Sequence, residues 1–319
     1  MDIAAPHKAP PLDGAKFRDP KITAAGEPRA SVALAGLRTL WINTGTLCNL
    51  ACAHCYIESS PTNDRLVYIS TGEVRAYLDE IAAGGLGTVE IGFTGGEPFM
   101  NPDMIEILDL TLSRGFRALV LTNAMRPMAK MRDGLLRLRA AHGDRLAMRV
   151  SIDHYGRELH EKERGPRSWQ PGIDGLTWLC ANGFGVSVAG RTFWDESEAD
   201  LRAGFARLFA GLGVGIDAAD PAALVLFPEM DETTDVPEIT TACWGILDVS
   251  PQSMMCATSR MVVKRRGADR PVVVPCTLLP YDARFEMGET LAEAAADVAL
   301  NHPHCAKFCV LGGGACSRG

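Results

Sequence analysis

The sequence predicts an α/β fold: parallel β/α units packed as a closed or partly closed barrel, or as an open doubly wound sheet, with a small cysteine-rich region behind them. Three observations predict it. Six short apolar segments between residues 38 and 228 alternate with amphipathic helical ones, and alternation of this kind builds parallel sheets with right-handed crossovers. The alternation fails after about residue 235. Six of the ten cysteines lie beyond residue 242, where little apolar periodicity remains from which to build a core.

The elements follow in order. Residues 1–36 are rich in Pro, Gly, Ala and charge and read as an arm without a core of its own. RTLWIN (38–43) reads as a short buried strand. TGEVRAYLDEIAAGG (71–85) reads as a helix, with Thr71 near its start and glycines at its end. TVEIGF (88–93) is the second strand and NPDMIEILDLTLSRG (101–115) its helix. FRALVLTN (116–123) is the third strand, followed by a helix over about 127–142. RLAMRVSID (145–153) is the fourth strand, and GIDGLTWLCANGFG (172–185) a helix stopped by glycine. VSVAGR (186–191) is the fifth strand, ESEADLRAGFARLFAGLG (196–213) the last clear helix, and AALVLFP (222–228) the sixth strand. The expected division is an arm at 1–36, a core at 37–235 and a cysteine-rich domain at 236–319.

Composition narrows the function classes. With 319 residues, 47% hydrophobic and 22% charged, the chain is ordinary globular protein, which excludes collagen-like, disordered and coiled-coil classes. A net charge of −7 argues against nucleic acid as the default partner. No stretch approaches the ~20 apolar residues of a membrane span, and the N-terminus lacks the apolar core of a signal peptide. The expectation is a cytoplasmic protein with no membrane and no nucleic-acid partner. Thiols clustered in a reducing compartment point to soft-metal ligation rather than disulfides.

The first cluster is Cys48, Cys52 and Cys55, followed by Tyr56, directly after the first strand. In parallel α/β folds chemistry gathers at the carboxyl ends of strands. Three thiolates can converge on one metal centre. A structural zinc site needs a fourth ligand, and the nearest, His54, is awkwardly placed between two of the cysteines. An iron–sulfur cluster on three cysteines keeps one iron open for chemistry. Gly95, Gly96, Glu97 and Pro98 follow the second strand: adjacent glycines let backbone approach a ligand, and a carboxylate can hold an ammonium group. The same residues also suit a glycine turn capped by an acidic residue ahead of a helix. Asn123 ends the third strand, Ser151 and Asp153 the fourth, and Arg191 the fifth. Each could bind a polar ligand or simply cap a strand.

The C-x3-C-x2-C spacing followed by an aromatic residue resembles the cluster motif of the radical S-adenosylmethionine (SAM) superfamily. The GGEP segment at 95–98 is similar to the one that holds the SAM amino group there. SIDHYGRELHEKERG (151–165) resembles the "SID…H…RG" stretch of superfamily members with auxiliary clusters. The resemblance covers residues 38–228 and implies a partial (β/α)6 TIM-like barrel. It implies a [4Fe-4S] cluster on Cys48, Cys52 and Cys55, reductive cleavage of SAM, and a 5′-deoxyadenosyl radical that abstracts a hydrogen from a peptide or small-molecule substrate. Tyr56, Gly95, Gly96, Glu97, Pro98, Asn123, Ser151, Asp153 and Arg191 are then the cofactor-binding residues, with Arg191 facing the SAM carboxylate. An external electron donor such as flavodoxin or ferredoxin is implied as a partner.

The tail resembles the SPASM and shorter twitch domains that carry auxiliary iron–sulfur clusters. Cys256, Gly267 and Cys276 keep that order, with a longer glycine-to-cysteine gap than usual. The usual later cysteine run is replaced by Cys305, Cys309 and Cys316. Six cysteines fall short of the seven that two full clusters use, so the resemblance implies at least one auxiliary [4Fe-4S] cluster. Its expected ligands are Cys256, Cys276 and Cys316, with Cys305 or Cys309. Cys243 is a core thiol, a spare ligand or a hydrogen donor; Cys180 reads as core. His302 and His304, around Pro303 beside Cys305, read as a turn, with metal ligation by one of them as the alternative. A zinc module in the tail, a molybdopterin-precursor-cyclase-like enzyme and a non-catalytic iron–sulfur carrier are the competing expectations.

Overall fold

The computed structural model describes residues 10–229 and 231–313. Its centre is an eight-stranded sheet. Strands β2 (Thr39–Asn43), β3 (Glu90–Thr94), β4 (Arg117–Thr122), β5 (Leu146–Ser151), β6 (Gly185–Arg191) and β7 (Leu224–Phe227) run parallel in sequence order. They are the six strands that the alternation predicts. Beyond β2 the sheet continues into β8 (Ser259–Val263), parallel to β2, and β9 (Val272–Val274), antiparallel to β8. The strand order β7-β6-β5-β4-β3-β2-β8-β9 is that of a partial barrel extended by the tail.

Side chains on these strands alternate between two cores, as the two-residue period of a strand requires. Leu40, Ile42, Ile91, Val120 and Val262 face one cluster, which the helices cover. Trp41, Leu119, Met261, Val263 and Val274 face the other, on the sheet's inner side, where tail and arm pack. The covering helices are α1 (Thr71–Gly84), α2 (Met104–Ser113), α3 (Arg126–Ala129), α4 (Arg132–His142), α5 (Arg157–Arg164), α6 (Trp169–Ala181) and α7 (Glu198–Leu212). The first begins at Thr71, and Ser70 before it is the N-cap, forming a reciprocal capping box with Glu73. The single helix expected at 127–142 is two. The sixth starts at Trp169 rather than 172, because Pro171 lies in its first turn, where a missing N–H is tolerated. The fifth lies inside the 151–165 motif, where no helix was expected.

Around β8 the chain makes a short helix, α8 (Cys243–Leu247), and several 3-10 turns. The arm packs on this part of the molecule. Its strand β1 (Ser31–Val32) pairs with β10 (Val298–Ala299), and the buried Arg29 forms an ion pair with Glu238. No helix among the described residues is long and apolar enough to cross a membrane.

Candidate metal and cofactor site

The loop after β2 is built by the turn after β3. Gly95 has a φ of +134°, a conformation that favours glycine. A Cβ there would overlap the carbonyl oxygen of Gly45, and one on Gly96 that of Leu47. Hydrogen bonds close the contact: Gly96 N–H donates to Gly45 O at 2.8 Å and Glu97 N–H to Leu47 O at 3.1 Å. The close approach that the glycines allow includes one to the chain's own cysteine loop, while both glycines also line the cavity.

Glu97 is buried, and it does not appear among the described residues lining the cavity. Its Oε1 accepts from the Thr122 hydroxyl at 2.8 Å and Phe99 N–H at 3.2 Å, and its Oε2 from Asn123 N–H at 2.8 Å. It also caps the 3-10 turn Pro98–Met100, so the capped-turn reading holds in the structure. Burial pushes its carboxyl up to about 7, against the pull of these donors.

Cys48, Cys52 and Cys55 line one cavity. Tyr56, Gly95, Gly96, Asn123, Ser151, Asp153 and Arg191 line it with them. The structure thus brings together every first-cluster residue that the sequence singles out except Glu97 and Pro98, which lie in the supporting turn. No fourth cysteine lines it among the described residues. Backbone N–H groups of Leu50 and Ser59 lie 3.4 and 3.3 Å from the sulfurs of Cys48 and Cys55, contacts that stabilise metal-bound sulfur. Burial pushes the Cys48 thiol up to about 12 and Cys52 up to about 11, with Arg164 pulling Cys52 the other way. A metal centre here must displace those protons. The buried Trp41 Nε1 and Ser59 Oγ have no hydrogen-bond partner, and both residues line the cavity. Three soft donors, no fourth cysteine and two orphaned polar atoms fit an iron–sulfur cluster with a polar cofactor beside it.

The sequence reading missed the residues that hold this loop. Glu163 accepts from His54 N–H at 2.9 Å, faces His54 Nδ1 at 2.7 Å, and takes Ala53 N–H on its own carbonyl at 2.8 Å. Arg164 pairs with Asp153 at 2.6 Å (Nε to Oδ2), which holds the guanidinium firmly charged. Arg191, which the sequence did single out, also holds the loop by donating to His54 O at 2.6 Å. The signal for Arg164 was present as the "RG" that closes the 151–165 stretch.

A second, smaller cavity lies in the tail. Cys256, Cys276, Cys305 and Cys309 line it, with Met254, Met255 and Leu300 among its walls. Both Cys305 and Cys309 line it; Cys316 lies outside the described residues. Burial raises the thiols of Cys256, Cys276 and Cys305. The buried Arg260 donates to Cys256 O and brings a positive charge near Cys256 and Cys276. Four thiols in an apolar chamber beside one cation suit a closed four-thiolate cluster. Cys243 stands apart and accepts from Thr240 N–H at 3.4 Å. Cys180, on α6, packs against the helix-side core. The two cavities share a wall: Leu278 lines both.

Residues 42–203 match the sequence profile of the Radical SAM superfamily. The antilisterial bacteriocin subtilosin biosynthesis protein AlbA of Bacillus subtilis is 34% identical over 147 residues, covering 46% of this chain and 31% of that protein. An AdoMet-dependent heme synthase of Methanosarcina barkeri is 32% identical over 136 residues, covering 41% and 36%. The matched stretch is thus about a third of the length of these relatives. The crystal structure of Streptococcus suis SuiB bound to S-adenosylmethionine shares the fold, with a TM-score of 0.58 at 12% identity over 80% of this chain and 63% of that one. Native anSMEcpe with bound AdoMet does so with 0.57 at 13%, over 80% and 79%. The superfamily's cofactors, a [4Fe-4S] cluster and SAM, are those that the donor set fits. Because the matched profile spans just over half of the sequence, the chain belongs to the Radical SAM superfamily.

Proposed function

We propose that this chain cleaves SAM reductively and that the resulting 5′-deoxyadenosyl radical abstracts a hydrogen atom from a peptide substrate. The observation that carries the reading is the single cavity into which all three loop cysteines and the polar ends of β3, β4, β5 and β6 converge. Cys48, Cys52 and Cys55 would hold the cluster. When bound, it supplies the electron that splits SAM into methionine and the radical.

The chain's own residues bind, orient and exclude. Ser151 and Asn123 offer hydrogen bonds to ribose or amino-acid groups. Arg191 meets a carboxylate, and Asp153 is held in place by its ion pair with Arg164. Glu97, behind the cavity wall, orders the strand ends through Thr122 and Asn123; as a contact to the SAM ammonium it would have to turn its carboxylate out of that turn. Trp41, Leu121, Phe227 and Leu278 wall the cavity against water, which protects a radical from side reactions. Cys256, Cys276, Cys305 and Cys309 would hold an auxiliary [4Fe-4S] cluster in the 236–319 region, behind the catalytic 37–235 region. An external one-electron donor such as flavodoxin or ferredoxin, in the reducing cytoplasm, completes the reading.

Peptide is the favoured substrate class on two grounds. A relative named for bacteriocin biosynthesis matches the core. In addition, Cys55 and Tyr56 also line an open groove between the arm and the tail, where an extended chain could lie. The heme synthase match favours the second reading, a small-molecule substrate. Reduced, anaerobically reconstituted protein should convert SAM to 5′-deoxyadenosine and methionine, and a deuterated peptide substrate should pass deuterium into the 5′-deoxyadenosine. Fully iron-loaded protein that forms no 5′-deoxyadenosine contradicts the proposal.

A further inference from the structure

The tail brings together a third set of metal-ligating side chains that neither cysteine set uses. His302 Nε2 lies 3.3 Å and His304 Nε2 3.9 Å from Glu232 Oε2, and the three donor atoms all lie within 4.8 Å of one another. Both imidazoles are about nine-tenths buried, while Glu232 is exposed. The one hydrogen bond to either ring among the described residues runs from His304 N–H to His302 Nδ1, at 3.1 Å. Each Nε2 instead faces the Glu232 carboxylate on the groove that all three residues line, so two imidazoles and a carboxylate are directed at one small region.

We propose that Glu232, His302 and His304 form a binding site for a borderline divalent cation of the zinc type, separate from both iron–sulfur sites. Two imidazoles and a carboxylate are a zinc donor set. Bonds of about 2.0–2.1 Å in a tetrahedron put ligand atoms about 3.3 Å apart. The His302–Glu232 distance already meets this; His304 Nε2, at 3.9 Å from Glu232 Oε2, must close by about 0.6 Å, which the exposed Glu232 and small turns of the two imidazole rings supply. Binding through Nε2 returns the His302 ring proton to Nδ1, so the cost is the one hydrogen bond from His304 N–H.

Three protein ligands leave a fourth position. All three residues line the groove that reaches Cys55 and Tyr56, and His304 also lines the auxiliary cysteine cavity. The fourth position therefore opens to the groove, where it takes a water or a donor atom of a molecule lying there. The site does not depend on the radical chemistry proposed above.

The test is metal analysis and zinc-edge X-ray absorption on anaerobically reconstituted protein, equilibrated with Zn2+ and desalted. The expected result is one zinc per chain in addition to the iron, with nitrogen and oxygen neighbours at about 2.0–2.1 Å and no sulfur shell near 2.3 Å. Glu232→Ala, at an exposed position that does not threaten the fold, and His302→Gln should each lose the zinc and keep the iron. Wild-type protein that retains no zinc, variants that retain it, or a zinc shell dominated by sulfur would overturn the site.

Discussion

At the scale of single residues, the turn after β3 decides whether the cysteine loop can form. Gly96 sits where any Cβ meets Leu47 O, a backbone atom that cannot step aside. Gly96→Ala should displace the loop carrying Cys48, Cys52 and Cys55. The expected outcome is loss of about half of the protein's iron, since two clusters of four irons are proposed, with the tail's share retained. Glu97 makes a different prediction. Its folded pKa is raised to about 7 by burial, above the usual carboxylate range near 4.3. The folded state therefore binds the proton more tightly than the unfolded one. This contribution to stability is full below the unfolded pKa and is lost as pH rises through about 7. Glu97→Gln removes that slope and leaves one of three donors without an acceptor, at about 1–3 kcal/mol. Denaturant titrations at several pH values, without SAM, should show the wild-type advantage shrinking between about pH 4.5 and 7.

At the scale of elements, α5 is the clamp on the cysteine loop. Its last two residues hold Ala53 and His54 through Glu163, and Asp153 through Arg164. Arg164→Leu leaves Asp153 buried without its main partner, which should cost about 3–5 kcal/mol. Arg164→Lys should recover part of that loss. Glu163→Ala should cost less stability but shed iron from the loop. Chemical denaturation with iron analysis checks all three. Strands β2 to β7 were legible in the sequence as apolar runs, and β3, β4, β5 and β6 are each closed by a polar residue that lines the cavity. The clamp was not, because α5 is eight residues long and nearly all polar. Its worth lies in two long-range contacts that no local periodicity reports. Strand β8 was hidden for a related reason. It carries Arg260 at its second position, fully buried, with its guanidinium satisfied by the carbonyls of Cys256, Ala294 and Ala296. A charged residue in a five-residue segment conceals a strand that only tertiary structure can pair.

At the scale of the whole molecule, the cysteine-rich tail completes the sheet. Its strand β8 pairs with β2 along Thr39–Ile42, and Trp41 packs in the same core as Met261, Val274 and Phe308. A chain ending at residue 235 would leave the β2 edge bare and that core open to water. Such a chain should aggregate or lose cooperative unfolding; a soluble monomer with a sharp transition would show that residues 37–235 fold alone. The same arrangement puts the two cysteine cavities on either side of Leu278. The sequence resemblance implied two iron–sulfur sites, but nothing in the spacing of Cys276 reveals that Thr277 and Leu278 wall the first cavity. The central claim is that the two cysteine sets are separate centres and that only the first cleaves SAM. The direct measurement is 5′-deoxyadenosine formation and iron content in a variant with Cys48, Cys52 and Cys55 all replaced by Ala. The account predicts no 5′-deoxyadenosine, about half of the wild-type iron and a surviving charge-transfer absorption band. Continued 5′-deoxyadenosine formation, or complete loss of iron from a folded variant, would contradict it.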